Sequence, residues 1–327
     1  MKKIVHTTKV RLDQAVLKQV ADEALEAFKV VDSRETTEGR SLFSTWNTLK
    51  SHVNDPEIVS VEGSCEPRVC ERVYYKPSYT SMPKEGRKAI KPLNDGNVFV
   101  FFDLKSAEFF LTCLFANEET VIRAYNAGYD PYDALSYIFP AGTPRDVYKT
   151  TLIASLYGVT DWTLAKQLGC SEAYASHLLA EIQHKMPALT AHKLRVIGKA
   201  RRAGMYFCPT NFEQTKFLEF DYKPDKKTKQ ISFKPNLALS VYTQSALGCW
   251  MQSLIKNVQQ FMDHFGYEGT LLTVFDSMLI ECPTQLVPKL VTWLQSRIKP
   301  FRASQFTIGT TFYDAAYSNK SWTTISQ

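Results

Sequence analysis

Two aspartates stand where a chain rarely leaves a charge. Asp103 closes the apolar run Val98 to Phe102, and Asp276 sits between two apolar runs in GTLLTVFDSMLIEC. A carboxylate in such surroundings costs several kcal/mol unless it is paired or bound to metal. Hard divalent cations such as magnesium favour carboxylate oxygen, commonly with substrate phosphates completing the shell. Two such ions ~4 Å apart clamp the attacking and leaving oxygens of a phosphoryl transfer. Taken singly, each aspartate is more readily a residue that caps a turn.

A third segment changes that balance. In RDVYKTTLIASLYG, Arg145, Lys149, Ile153 and Tyr157 recur at four-residue steps. Each step advances a helix by ~40° beyond a full turn, so all four share one broad face. The cations occupy the N-terminal half, where the helix dipole is also positive, which suits a triphosphate. The aromatic end suits a base or its template partner. Seen alone, the segment is equally an exposed face with one core tyrosine.

The elements that must position these residues are readable in outline. Residues 12–30 carry Leu12, Val16, Leu17, Val20, Ala24, Leu25 and Phe28 at helical spacing, and a second helix is expected over 42–53. From Val59 to Pro92 the chain turns to β-branched residues, tyrosines and four prolines, a pattern of short strands and turns. Val98 to Phe102 is apolar on both faces, so a buried strand, and Ala107 to Phe115 follows as a helix. Residues 118–205 are mainly helical, with Pro144 opening one helix and Gly158 stopping it. Further helices are expected over 171–184 and 191–203. Tyr206 to Lys234 is a polar loop or hairpin, and Asn236 to Phe265 a long helix. GTLLTVFDSMLIEC alternates as a β-hairpin, a helix follows over 284–297, and Phe306 to Phe312 is a candidate last strand.

Taken together and in order, these segments resemble the family A DNA polymerases, the group of bacterial DNA polymerase I. FDLKSAEFF is similar to motif A of that family, an Asp followed five residues later by a Glu. RDVYKTTLIASLYG is similar to motif B, R-x3-K-x7-YG, and VFDSMLIE to motif C. PSYTSMPKEGRKAIKP resembles the segment before motif A, LYGVTDWTLAKQLGCSEAYASHLL the stretch after motif B, and YTQSALG the MQGTAA segment before motif C. The resemblance runs from about Arg72 to Tyr317, roughly three quarters of the chain.

The resemblance implies an α+β right hand with an antiparallel-sheet palm, helical fingers, a reduced thumb and no exonuclease domain. Its parts would be a helical segment at 1–59, palm at 60–125 and 206–327, and fingers at 126–205. Asp103, Asp276 and the Leu104 carbonyl would hold two Mg2+ ions, with Mn2+ able to substitute. Lys149 and Arg145 would grip the β- and γ-phosphates of a dNTP, Lys149 also protonating the leaving group. Tyr157 and Ile153 would border the insertion site, Glu108 would exclude a 2′-hydroxyl, and Tyr132 would take the place of a phosphate-meeting histidine. Gln244 and Arg72 would touch minor-groove acceptors of primer–template DNA. Substrate, template and Mg2+ all follow from the resemblance and not from composition.

The departures are specific. Ile153 replaces an aromatic and Ala154 a glycine. Phe275 and Ser277 replace the His and Glu that flank the motif C aspartate, and CPTNFEQ around Thr210 replaces an arginine-rich stretch. They suggest a divergent member of phage or plasmid type. Only about a hundred residues precede motif A, too few for a full thumb and a 3′–5′ exonuclease. Asp55-Pro56-Glu57 lacks an apolar strand to carry a proofreading site and reads as a loop. The 12–30 helix is then a shortened thumb, or a separate polypeptide supplies thumb, exonuclease or processivity. A silent DNA-binding subunit and a single-subunit RNA polymerase are the competing classes. Buried carboxylates argue against the first, and Glu108 and the short length against the second.

Composition narrows the setting without deciding it. The 327 residues are 44% hydrophobic and 22% charged, enough apolar material for a large core. A net charge of +6 suits a phosphate backbone as partner but proves none. Seven scattered cysteines contain no CxxC pair, which fits a reducing, cytoplasmic setting and offers no zinc site. No run reaches the ~18 apolar residues of a membrane span. The Lys226-Lys227-Lys229 cluster reads as a solvated loop.

Overall fold

In the computed structural model the described residues are 3–31, 36–65, 70, 72–83, 85–210, 214–219, 233–297, 302–303, 306–307 and 313–318. In chain order the elements begin with β1 (Lys3–Leu12), α1 (Gln14–Val31), α2 (Thr37–Lys50), β2 (Ile58–Cys65), β3 (Val73–Lys76), β4 (Ile90–Lys91) and β5 (Asn97–Leu104). The helical part follows as α3 (Ala107–Ala116), α4 (Glu119–Asn126), α5 (Arg145–Leu156), α6 (Asp161–Leu168), α7 (Glu172–Lys185) and α8 (Pro187–Ala203). The chain continues through β6 (Met205–Thr210), β7 (Gln214–Glu219), α9 (Pro235–Phe265), β8 (Leu271–Val274), β9 (Ser277–Pro283) and α10 (Val287–Arg297). Short strands β10 (Arg302–Ala303), β11 (Phe306–Thr307) and β12 (Tyr313–Ser318) complete it. The fold is α+β, as expected. The lysine cluster at 226–229 lies outside the described residues.

The central sheet runs β12-β5-β9-β8, antiparallel throughout. Strand β5 is buried on both faces because it has a core on each side. Val98, Val100, Phe102 and Leu104 join Phe110 of α3, Leu254 and Phe261 of α9 and Leu290 of α10. Phe99 and Phe101 point the other way, toward Leu12, Leu17 and Tyr79. Asp103, two residues beyond Phe101, falls on that second face by the pleat.

A second sheet, β3-β2-β1-β4, packs there. The N-terminal segment therefore departs from the all-helical expectation for 1–59: it opens with a ten-residue strand. Its inward positions are His6, Thr8, Val10 and Leu12. Two of these four are polar, so hydropathy hides the alternation. They are buried because they stitch the sheets together. His6 Nε2 meets the Leu271 carbonyl at 3.0 Å, and the Thr270 hydroxyl donates to the Lys9 carbonyl at 2.9 Å. The Leu271 amide donates to Thr8 Oγ1 at 2.9 Å, and the Thr273 amide donates to the Tyr75 hydroxyl at 2.9 Å. Helices α1 and α2 form a hairpin between β1 and β2, closed by Phe28 against Phe43 at 5.3 Å between ring centroids.

Helices α4, α5, α7 and α8 join the same main core as the central sheet through Val121, Leu152, Leu178 and Leu189. Thr160 and Ser171 accept from the Thr163 and Tyr174 amides and so start α6 and α7. Pro144 precedes α5, and Gly158, at φ +68°, ends the turn that follows it. That glycine is required twice over. Its φ is left-handed, and a Cβ there would lie 2.6 Å from Asn236 Oδ1.

Candidate active site

The two aspartates meet at the edge of one ladder. Asp103 pairs with Ser277 across β5 and β9, and the Leu104 amide donates to the Asp276 carbonyl at 3.1 Å. Asp276 and Phe275 are the whole of the two-residue turn between Val274 and Ser277. Such a hairpin turn wants Gly or Asn at positive φ. Here Phe275 holds φ +56° with 66% of its surface exposed. A bulky residue at that angle is strained, and strain of this kind collects at functional sites.

What holds Phe275 is Arg72, whose guanidinium lies 4.8 Å from its ring centroid. Arg72 also reaches Glu108 Oε1 at 3.4 Å, and Gln244 Nε2 donates to the same oxygen at 3.2 Å. Glu108 occupies the first turn of α3. The Tyr157 hydroxyl is buried beside Glu108 and Gln244 without an aligned hydrogen bond to either. Burial, reinforced by Glu108, pushes that phenol well above its ordinary range, so it stays protonated. Ile153, one turn earlier on α5, packs with Tyr157 against the main core.

The cations of α5 converge on one ring. Arg145 and Lys149 lie 5.6 and 6.0 Å from the centroid of Tyr132. Tyr132 itself is 2% exposed and packed on Phe109 at 4.9 Å, with Ser106 nearby. It therefore lies under the cations as a platform. Arg145 forms an ion pair with Asp130, which also accepts the Tyr132 amide at 2.8 Å. A cleft of about 440 Å3 opens here, lined among others by Asp103, Lys105, Ser106, Tyr129, Asp130 and Arg145. It brings the first aspartate and the first cation of α5 to one concavity.

Electrostatics link the remaining pair. Burial, reinforced by Glu108, shifts Asp276 upward, opposed first by a hydrogen bond from its own backbone amide and then by Arg72 and Lys149. Lys149 and Asp276 thus sense each other although they come from α5 and the β8–β9 turn. The donors that could hold a metal are two carboxylates and the Leu104 carbonyl, hard oxygens that fit Mg2+. Among the described residues no group of three or more His, Cys, Asp or Glu side chains forms a protein-only cage. A set of this kind fits an ion whose remaining ligands are phosphate and hydroxyl oxygens of substrate.

The residues proposed from sequence for the site lie on the edge of the central sheet, on α3, on α5 or at its C-cap, on α9 and just before β3, with Tyr132 in the segment between α4 and α5. Three contributors were not singled out. Asp130 precedes a proline in YDPYDA, a turn signal that marks a side chain free to bond locally. Ser106 and Asn236 carry no signal that separates them from surface residues. The expected loop at Asp55-Pro56-Glu57 is a loop, and its carboxylates are engaged: Asp55 accepts from Tyr79 at 2.6 Å and Glu57 from Arg11 at 3.0 Å.

Comparison with known proteins bears on the family and the fold. The family DNA polymerase family A matches residues 75–313. DNA polymerase I of Borreliella burgdorferi is 24% identical over 206 residues, which is 61% of this chain and 22% of that protein. The chain thus spans about a fifth of the length of this curated relative. The POL domain of Pol1 from M. smegmatis, solved in complex with DNA primer-template and dNTP, superposes with a TM-score of 0.79 at 15% identity. That match covers 97% of this chain and 68% of the other.

Proposed function

The chain belongs to DNA polymerase family A, and from that premise we propose that it is a template-directed DNA polymerase. It adds deoxynucleotides to a primer 3′-hydroxyl by two-metal phosphoryl transfer. The observation that supports the reading is that Asp103 and Asp276 fall at one sheet edge, tied by the Leu104 amide to the Asp276 carbonyl, with Asp103 lining the same cleft as Arg145 of α5.

Asp103, Asp276 and the Leu104 carbonyl would hold two Mg2+ ions, for which Mn2+ could substitute. When bound, the metals supply charge to activate the 3′-hydroxyl and steady the pyrophosphate. The chain's own residues do the rest. Lys149 and Arg145 hold the β- and γ-phosphates over the Tyr132 ring, Arg145 exchanging Asp130 for phosphate. Lys149 gives a proton to the leaving pyrophosphate. Tyr157 and Ile153 wall the insertion site, and Glu108 blocks a 2′-hydroxyl there. Gln244 and Arg72 donate to minor-groove acceptors of the duplex, which are shared by all base pairs.

This reading includes no proofreading, since the one DxE of the N-terminal part spends its carboxylates on Tyr79, His52 and Arg11. The α1–α2 hairpin acts as a short thumb, or else a separate polypeptide supplies thumb, exonuclease or processivity. Processivity then rises when that partner is added. The direct test is incorporation on a primed template with Mg2+ and each dNTP in turn. Addition of the complementary nucleotide alone supports the reading. Addition without regard to template removes it, and no addition leaves a silent DNA-binding subunit.

A further inference from the structure

The turn after α5 is held by two side chains from outside the fingers helix itself. Lys193 of α8 donates from Nζ to the Ser155 carbonyl at 2.5 Å. Asn236, at the start of α9, donates from Nδ2 to the Gly158 carbonyl at 3.0 Å. Between these two anchors stands Tyr157, the C-cap residue. The local backbone bonds are slack by comparison: Tyr157 to Ala154 at 3.2 Å, Gly158 to Ser155 at 3.3 Å and Val159 to Ala154 at 3.2 Å.

Lys193 is an unusual choice for a carbonyl cap. Its side chain is half-buried, and burial lowers its pKa. Among the described residues it forms no ion pair. A lysine that gives up water without a carboxylate partner is costly, and the negative end of a helix is one of few surroundings that compensate it. The cation is thus spent on the end of α5.

We propose that Lys193 and Asn236 are positioning residues that jointly set Tyr157 in the insertion site, acting as a latch on the C-terminal end of α5. This rests on the reading of Tyr157 as a wall of the nucleotide pocket. With the latch intact, the phenol stands beside Glu108 and Gln244 before a nucleotide arrives. With it broken, the turn at 155–159 loosens and the pocket loses its shape, while the aspartates are untouched.

The test uses the full chain carrying Lys193→Met, with Lys193→Arg as the conservative variant and Asn236→Ala at an exposed position as the second probe. Amide hydrogen exchange and single-nucleotide kinetics are read on each. For Lys193→Met, exchange at Gly158 and Val159 speeds by about tenfold with α9 unchanged, since one charged anchor of the turn is gone. The KM for the correct dNTP rises by about tenfold with kcat within about twofold, the pattern of lost binding and not lost chemistry. Lys193→Arg restores both. Wild-type exchange and KM in Lys193→Met overturn the latch; where that variant does not fold, the same result in Asn236→Ala overturns it. Absence of incorporation by the wild-type chain sinks the polymerase reading instead, and the exchange data still decide the latch.

Discussion

The Leu104 amide donates to the Asp276 carbonyl at 3.1 Å, one residue past the last β5–β9 pair, Asp103 with Ser277. That bond ties two segments more than 170 positions apart in sequence. It places both acids at one edge of the sheet.

Asp276 costs the empty fold stability. Burial raises its pKa, so the folded state binds the proton more tightly than the unfolded chain. The sign follows: stability falls as pH rises from its ordinary value of 3.8 through the folded value and stays lower above it. Asp276→Asn is therefore expected to melt higher than wild type near neutral pH without added metal, while losing polymerase activity. Calorimetry at pH 7 decides; a lower Tm in Asp276→Asn contradicts the assignment of burial as the dominant effect.

Glu108 carries three neighbours and one task. Arg72 and Gln244 bond it and Tyr157 lies beside it, so its carboxylate is fixed where the proposed function puts the sugar of the incoming nucleotide. Glu108→Ala opens that space. Discrimination between dCTP and CTP, read as a ratio of kcat/KM values, is expected to fall by about tenfold or more. An unchanged ratio would remove Glu108 from sugar selection.

His192 makes stability depend on mild acid. Burial, followed by the charge of Arg195, lowers its pKa from 6.5 to about 4. It lies 4% exposed among the rings of Phe115 and Tyr242. In the unfolded chain it takes a proton near pH 6.5 and in the fold only near 4, so its contribution is full above pH 6.5 and drains away between these values. The loss approaches ~3 kcal/mol. His6, also lowered by burial, acts in the same direction. Urea titrations from pH 7.5 to 4 on wild type and His192→Phe check this, the variant showing the shallower slope.

Glu281 is a structural charge that a search for catalytic acids must set aside. It is 0% exposed and accepts from the Asn94 amide at 3.0 Å, Asn97 Nδ2 at 2.9 Å and the Thr270 amide at 2.9 Å. Glu281→Ala strands these donors and is expected to cost about 3 kcal/mol by denaturant unfolding. Metal-dependent chemistry per folded molecule stays intact.

Much of the frame was legible because it is local. Strand β5 announces itself by an apolar run, α5 by Pro144 and Gly158, and α1 by its three- and four-residue spacing. Strand β1 was not legible, since half of its buried face is His6 and Thr8, residues kept for hydrogen bonds across sheets. The site's residue types were legible through motif spacing. Their mutual contacts were not: Arg72 on Phe275 spans two hundred residues and depends on a phenylalanine at an angle that sequence rules reserve for glycine or asparagine. Tyr132 illustrates a subtler limit, because the resemblance would set it in the place of a phosphate-meeting histidine while burial makes it the support beneath Arg145 and Lys149.

The central claim is that Asp103 and Asp276 act together on one metal-dependent step. Primer extension in Mg2+ by wild type, Asp103→Asn, Asp276→Asn and the surface control Asp95→Asn tests it most directly. Extension by wild type and Asp95→Asn, with a loss of at least about a thousandfold in each of the other two, is the result predicted. Extension at the wild-type rate by either Asp103→Asn or Asp276→Asn would contradict it.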